Sequence, residues 1–121
     1  MHAMRMKNRK LVERIGFALA GIRIVVRREK SFRTQLVLAG AAVAALLALQ
    51  PGLLWSAIIL VAIGLVLALE MANAALEYLI DYLHPELAAE IGHAKDAAAG
   101  AVLLASFAAA GVGAMMLLSS L

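Results

Sequence analysis

Glu70, Asn73, Glu77 and Asp81 follow one another at three- and four-residue intervals where a long apolar run ends. At 100° per residue they fall within an arc of about 80° on one helix face. A carboxylate inside a bilayer costs about 2.5 to 3.5 kcal/mol even on insertion scales. A chain that keeps such groups in line holds them for a cation, a proton path or a substrate. Two carboxylates at one depth can bind Mg²⁺, which takes oxygen ligands and keeps water and substrate phosphate around it. A third can serve as general base. Lys95 adds a point charge suited to phosphate. Asp96 is expected near a helix N-terminus, where an anion is favoured. Carboxylates, a divalent metal and a lysine are the minimum set for phosphoryl transfer, which is mostly positioning and charge neutralisation. Single residues have plainer readings: Asp81 as an interfacial helix terminator, Asn73 as an interhelical hydrogen-bonding group. Glu70 resists such a reading, because it directly follows the 17 uncharged residues Leu53–Leu69.

The elements that must position these groups are apolar helices. Of the 121 residues, 64% are hydrophobic, against about 45–50% in soluble domains, and the mean hydropathy is +0.93. That composition implies one integral membrane domain over residues 1–121. There is no cysteine, which excludes disulfides and thiol chemistry. One Trp and two Tyr make a thin aromatic belt. Ten of the eleven Lys and Arg lie in residues 1–33 and the eleventh is Lys95. Because this basic segment precedes apolar spans, it reads as a positive-inside anchor on anionic lipid rather than a nucleic-acid contact. The first long apolar run begins near Leu36, too far from Met1 for a secretory signal.

Residues 1–8 are polar and expected to fray. Over residues 9–28, Leu11, Ile15, Ile22 and Val26 form one stripe, with Arg14, Arg23 and Arg27 largely off it. This is the pattern of a basic amphipathic helix in the inner interface. A first span is expected over residues 31–49, about 28 Å long at 1.5 Å per residue. Gln50-Pro51-Gly52 is an uncharged turn. A second helix is expected over residues 53–83, its last turns cytoplasmic. The segment from Pro85 to His93 reads as a polar loop or short helix, and His93 as solvated. A third span is expected over residues 97–121, rich in Ala and Gly, which permits close helix packing. The topology is then three spans, N-terminus cytoplasmic and C-terminus outside, with Glu29, the Glu70–Asp81 face and Lys95-Asp96 meeting at one depth. Three thin helices are expected not to bury Glu70, Asn73 and Glu77 unaided. Phe17, Phe32 and Trp55 read as lipid-contacting or interfacial.

There is no Walker A loop, no H-R-D and no D-F-G, and His2, His84 and His93 lack metal-like spacing. Three blocks instead carry a resemblance: Glu29-Lys30-Ser31-Phe32-Arg33; Glu70-Met71-Ala72-Asn73-Ala74-Ala75-Leu76-Glu77, followed by Asp81; and Ala94-Lys95-Asp96-Ala97-Ala98-Ala99-Gly100-Ala101-Val102. Together they resemble the prokaryotic diacylglycerol kinase family, which includes the undecaprenol kinases, over roughly residues 10–120. The resemblance implies an all-α integral membrane homotrimer of the bacterial inner membrane. Each subunit would have three spans and an N-terminal surface helix, with active sites between subunits. It implies an ATP-dependent kinase that transfers the γ-phosphate to the hydroxyl of diacylglycerol. Glu29 and Glu77 would bind the Mg²⁺ that travels with ATP, and Glu70 would be the base toward the lipid hydroxyl, supported by Asn73. Lys95, Asp96 and Phe17 would contact the nucleotide, and Phe32 and Arg33 would lie near the lipid. The sequence departs from the family pattern at Ala98-Ala99, where Gly-Ser is common, which leans toward an undecaprenol acceptor. It departs also at Gln35, where a carboxylate is frequent, and at Phe17, where a tyrosine is frequent. A small carboxylate-based proton or cation transporter would instead need a carboxylate near mid-bilayer, and a holin-like pore would need no ATP.

Overall fold

The computed structural model describes residues 10–86 and 88–121, so the segment 1–8, with His2, lies outside the described residues. Four helices follow in order: α1 (Leu11–Arg28), α2 (Lys30–Leu49), α3 (Leu53–Leu83) and α4 (Ala89–Ser119), with no strand among the described residues. Three of them, α2, α3 and α4, are long and apolar enough to cross a membrane. The chain therefore reads as a multi-pass membrane protein. α3 and α4 each have 31 residues, about 46 Å at 1.5 Å per residue, against a hydrocarbon core of about 30 Å. Both must project beyond the bilayer, and their charged ends are the parts that do.

α1 and α2 are separated by a single residue. Glu29 is extended (φ −108°, ψ 109°) and serves as C-cap of α1 and N-cap of α2. Its N–H still donates to the Val25 carbonyl at 2.8 Å. The Arg33 guanidinium reaches back and donates to the Val26 and Arg27 carbonyls at 2.8 and 3.0 Å. A cation thus satisfies carbonyls that the helix end leaves orphaned. The turn between α2 and α3 lies at the expected residues. Gln50 and Gly52 both have positive φ, 46° and 107°, a backbone that glycine adopts without a Cβ penalty.

α3 packs most extensively on α4, α2 packs on α3, and α1 touches α2 and α3. The chain thus runs up, down and up, bringing residues near 30, 70–81 and 90–96 to one end. Val25, Phe32 and Ala74 form a buried cluster there, flanked by Val26, Leu67, Met71 and Tyr78. Elsewhere the apolar surface faces outward: Leu53, Val61, Leu104 and Phe107 are each more than half exposed. In lipid such surface has no reason to turn inward, and helices associate through close packing instead. α4 begins at Ala89, not at the expected 97. Pro85 lies ahead of it, Gly92 in its opening residues does not interrupt it, and Glu90 there suits the positive end of the helix. The polar residues Glu90 to Asp96 therefore ride on helix. His93 is helical and exposed, with Nδ1 3.4 Å from Glu90 Oε1.

Candidate active site

The polar face of α3 is held by hydrogen bonds from each of its neighbours. Ser31 Oγ, in the first turn of α2, donates to Glu70 Oε2 at 2.9 Å. Tyr78 of α3 donates through its hydroxyl to Glu29 Oε2 at 2.7 Å. Lys95 Nζ of α4 donates to Asp81 Oδ1 at 2.5 Å and forms an ion pair with it. Within α3, Asn73 Nδ2 donates to Glu77 Oε1 at 3.2 Å, a pair one helical turn apart. Glu29, Glu70, Asn73, Glu77 and Lys95 thus each take part in one of four separate side-chain contacts at one end of the bundle.

Several placements differ from expectation. Glu70 is only 6% exposed within a single chain, and Asn73 and Glu77 are half-buried. Three helices do enclose Glu70, because the α1–α2 corner folds across α3 above it. Phe32 is 3% exposed and packs with Val25 and Ala74. It is a core side chain of that corner rather than a lipid-contacting one. Arg33 is exposed and engaged by the α1 carbonyls. Asp96 is exposed on α4, and because the helix starts at Ala89 it lies two turns in. A helix-end field fades within the first turn, so that argument for Asp96 does not hold. Phe17 lies half-buried on α1.

Ser31, Tyr78 and Arg28, whose guanidinium carbon lies 5.2 Å from the Tyr78 ring centroid, were not singled out in the sequence. One turn farther into the apolar region, Gln35 Nε2 donates to Ser106 Oγ at 3.2 Å. This pair lines a cavity of about 310 Å³ between α2, α3 and α4, whose other walls include Ala39, Ala42, Val66 and Gly113. Val66 and Gln35 stand one turn from Glu70 and Ser31, so the cavity begins next to the buried carboxylate.

The donors for a divalent cation at this end of the bundle are carboxylates and the amide oxygen of Asn73. Mg²⁺ is usually held by one or two carboxylates together with substrate phosphates and water. Among the described residues no group of three or more His, Cys, Asp or Glu converges on one point. Beside Glu77, the Asn73 Oδ1 is buried and has no hydrogen-bond partner among the described residues. An unsatisfied buried oxygen costs about 1–3 kcal/mol, which a donor or a hydrated cation would relieve.

No curated protein matches the chain. The family model of the prokaryotic diacylglycerol kinase matches residues 16–117, a range that includes all three blocks and every candidate residue from Phe17 to Asp96. The chain belongs to the prokaryotic diacylglycerol kinase family.

Proposed function

We propose that the protein is an integral membrane lipid kinase that transfers the γ-phosphate of ATP to the hydroxyl of diacylglycerol, giving phosphatidic acid. The observation that carries this reading is the hydrogen-bonded set on α3, where Glu70, Tyr78 and Asp81 receive or hold groups from α2, the α1–α2 corner and α4. It places a buried carboxylate, a lysine and two further carboxylates at the charged end of three apolar helices. Glu70 accepts the proton of the lipid hydroxyl as its oxygen attacks the γ-phosphorus and ADP leaves. Ser31 fixes one carboxylate oxygen of Glu70 and so orients the other. Glu29 and Glu77 would hold Mg²⁺, with Asn73 steadying Glu77. When bound, the ion neutralises phosphate charge in the transition state. Lys95 turns from Asp81 toward the phosphates, and Asp96 and Phe17 flank the nucleotide. Phe32 and Arg33 act on the lipid side through the corner that they hold together.

The apolar cavity beside Glu70 supports an acceptor that arrives sideways from the inner leaflet. Ten basic residues before or in the first turn of α2, and none at the α2–α3 turn, support a cytoplasmic N-terminus and an outer C-terminus in the bacterial inner membrane. We propose a homotrimer with sites between subunits, for which the Ala- and Gly-rich α4 offers a close-packing surface. The Ala98-Ala99 run favours undecaprenol as a second acceptor. Equimolar diacylglycerol and undecaprenol, presented together in nanodiscs with limiting ATP, separate the two. Phosphatidic acid is expected to be the main product, and undecaprenyl phosphate in excess would reassign the acceptor.

A further inference from the structure

Among the described residues, Tyr78 of α3 reaches the carboxylate at the α1–α2 corner. Its hydroxyl donates to Glu29 Oε2 at 2.7 Å. Its ring packs against the Val25, Phe32 and Ala74 cluster, and Arg28 covers the ring, 5.2 Å from its centroid. Glu29 needs such a restraint. It is the single extended residue between two helices, so its direction depends on how the corner sits on α3. Its side chain has three rotatable bonds, and freezing such a chain on a ligand has an entropic cost of about 1.5–2 kcal/mol. A phenol anchored by core packing and by a cation over its face can meet that cost before the ligand arrives. A carboxylate has about four acceptor sites, so one hydrogen bond to Oε2 leaves Oε1 free to ligate.

We propose that Tyr78 is a positioning residue for metal binding: it preorients the Glu29 carboxylate toward the Mg²⁺ that accompanies the nucleotide. The assignment rests on the reading of Glu29 as a metal ligand. It also accounts for an aromatic residue beside the acidic face, directly after Glu77 in sequence, whose hydroxyl reaches the carboxylate of the α1–α2 corner.

The test is Tyr78→Phe, which keeps the ring, its packing and its contact with Arg28, and removes only the hydroxyl. The purified protein in nanodiscs is titrated with Mn²⁺ in the presence of β,γ-methylene-ATP, and bound metal is read by electron paramagnetic resonance without turnover. The Mn²⁺ dissociation constant is expected to rise at least about tenfold, the lower limit for one hydrogen bond to a charged group. The KM for Mg²⁺·ATP should rise with it. The KM for diacylglycerol, kcat at saturating Mg²⁺ and the thermal midpoint should stay within twofold or within a few degrees of wild type. Glu29→Gln is measured alongside. If Glu29→Gln loses Mn²⁺ and Tyr78→Phe binds it as wild type does, Tyr78 does not position Glu29 and the metal reading stands. If Glu29→Gln itself binds Mn²⁺ normally, the metal reading of Glu29 falls and the role of Tyr78 falls with it. A rise in both metal and lipid constants with a lowered midpoint would make Tyr78 a packing staple and overturn the proposal.

Discussion

Replacing Glu70 by Gln should separate chemistry from folding. The carboxylate is buried, 6% exposed, and one oxygen accepts a hydrogen bond from Ser31 at 2.9 Å. Glutamine has the same length, and its amide oxygen can take the same bond from Ser31. A neutral amide also avoids the cost of keeping a charge out of water. The net change in stability should therefore lie within about 1 kcal/mol, the difference between a charged and a neutral hydrogen bond partly offset by desolvation. What glutamine cannot do is accept the hydroxyl proton. A positioned general base contributes about 10²–10⁴-fold, or about 2.7–5.5 kcal/mol of barrier at 1.36 kcal/mol per decade. The expected outcome is a kcat lowered by that factor with the KM for Mg²⁺·ATP within about threefold of wild type, since Glu70 is not placed among the metal ligands. Initial rates of phosphate transfer in nanodiscs at saturating ATP, with a thermal-unfolding scan on the same samples, provide both numbers. A kcat within tenfold of wild type would refute the role of Glu70 as base. An equal loss in an unfolded or disassembled sample would refute the claim that the fold is spared.

Two further outcomes follow from the proposed topology and trimer. A single cysteine at Leu53, 90% exposed at the start of α3, should be labelled by an impermeant thiol reagent outside intact cells, while one at Glu86 should not. Leu53 is preferable to Gln50 or Gly52, whose positive φ would strain a replacement, and labelling at Glu86 alone would invert the topology. Glu70→Ala and Lys95→Ala, each inactive alone, should restore activity at a minority of sites when refolded together if a site draws on two subunits. No recovery in a mixture shown to exchange subunits would place both residues in one chain's site.

The α3 face was legible because carboxylates are costly in lipid, so their spacing on an apolar helix carries information that a soluble surface would hide. The Gln50-Pro51-Gly52 turn was legible because its breakers act locally. The corner at Glu29 was not. One extended residue between two helices leaves no proline or glycine behind, and its shape comes from Arg33 capping α1 and Phe32 filling the space under it. The enclosure of Glu70 was missed for the same reason, since the covering Ser31 belongs to that corner. The early start of α4 was obscured by the charges in its first two turns, which match a loop in composition and a projecting helix in fact. Tyr78 read as an aromatic belt residue, and only its hydrogen bond to Glu29, 49 positions away, marks it as part of the site. Gln35 and Ser106 are 71 residues apart, and nothing local in either apolar run announces their pairing.

The central claim is that this set of residues moves phosphate from ATP to a lipid hydroxyl. The most direct measurement is the formation of labelled phosphatidic acid by the purified wild-type protein in nanodiscs containing diacylglycerol and γ-labelled ATP, with and without Mg²⁺. Labelled lipid that accumulates only with Mg²⁺ present, and that is abolished by Glu77→Gln, is the predicted result. Absence of labelled lipid in folded protein supplied with diacylglycerol, undecaprenol and Mg²⁺, or labelling undiminished by Glu77→Gln, would contradict it.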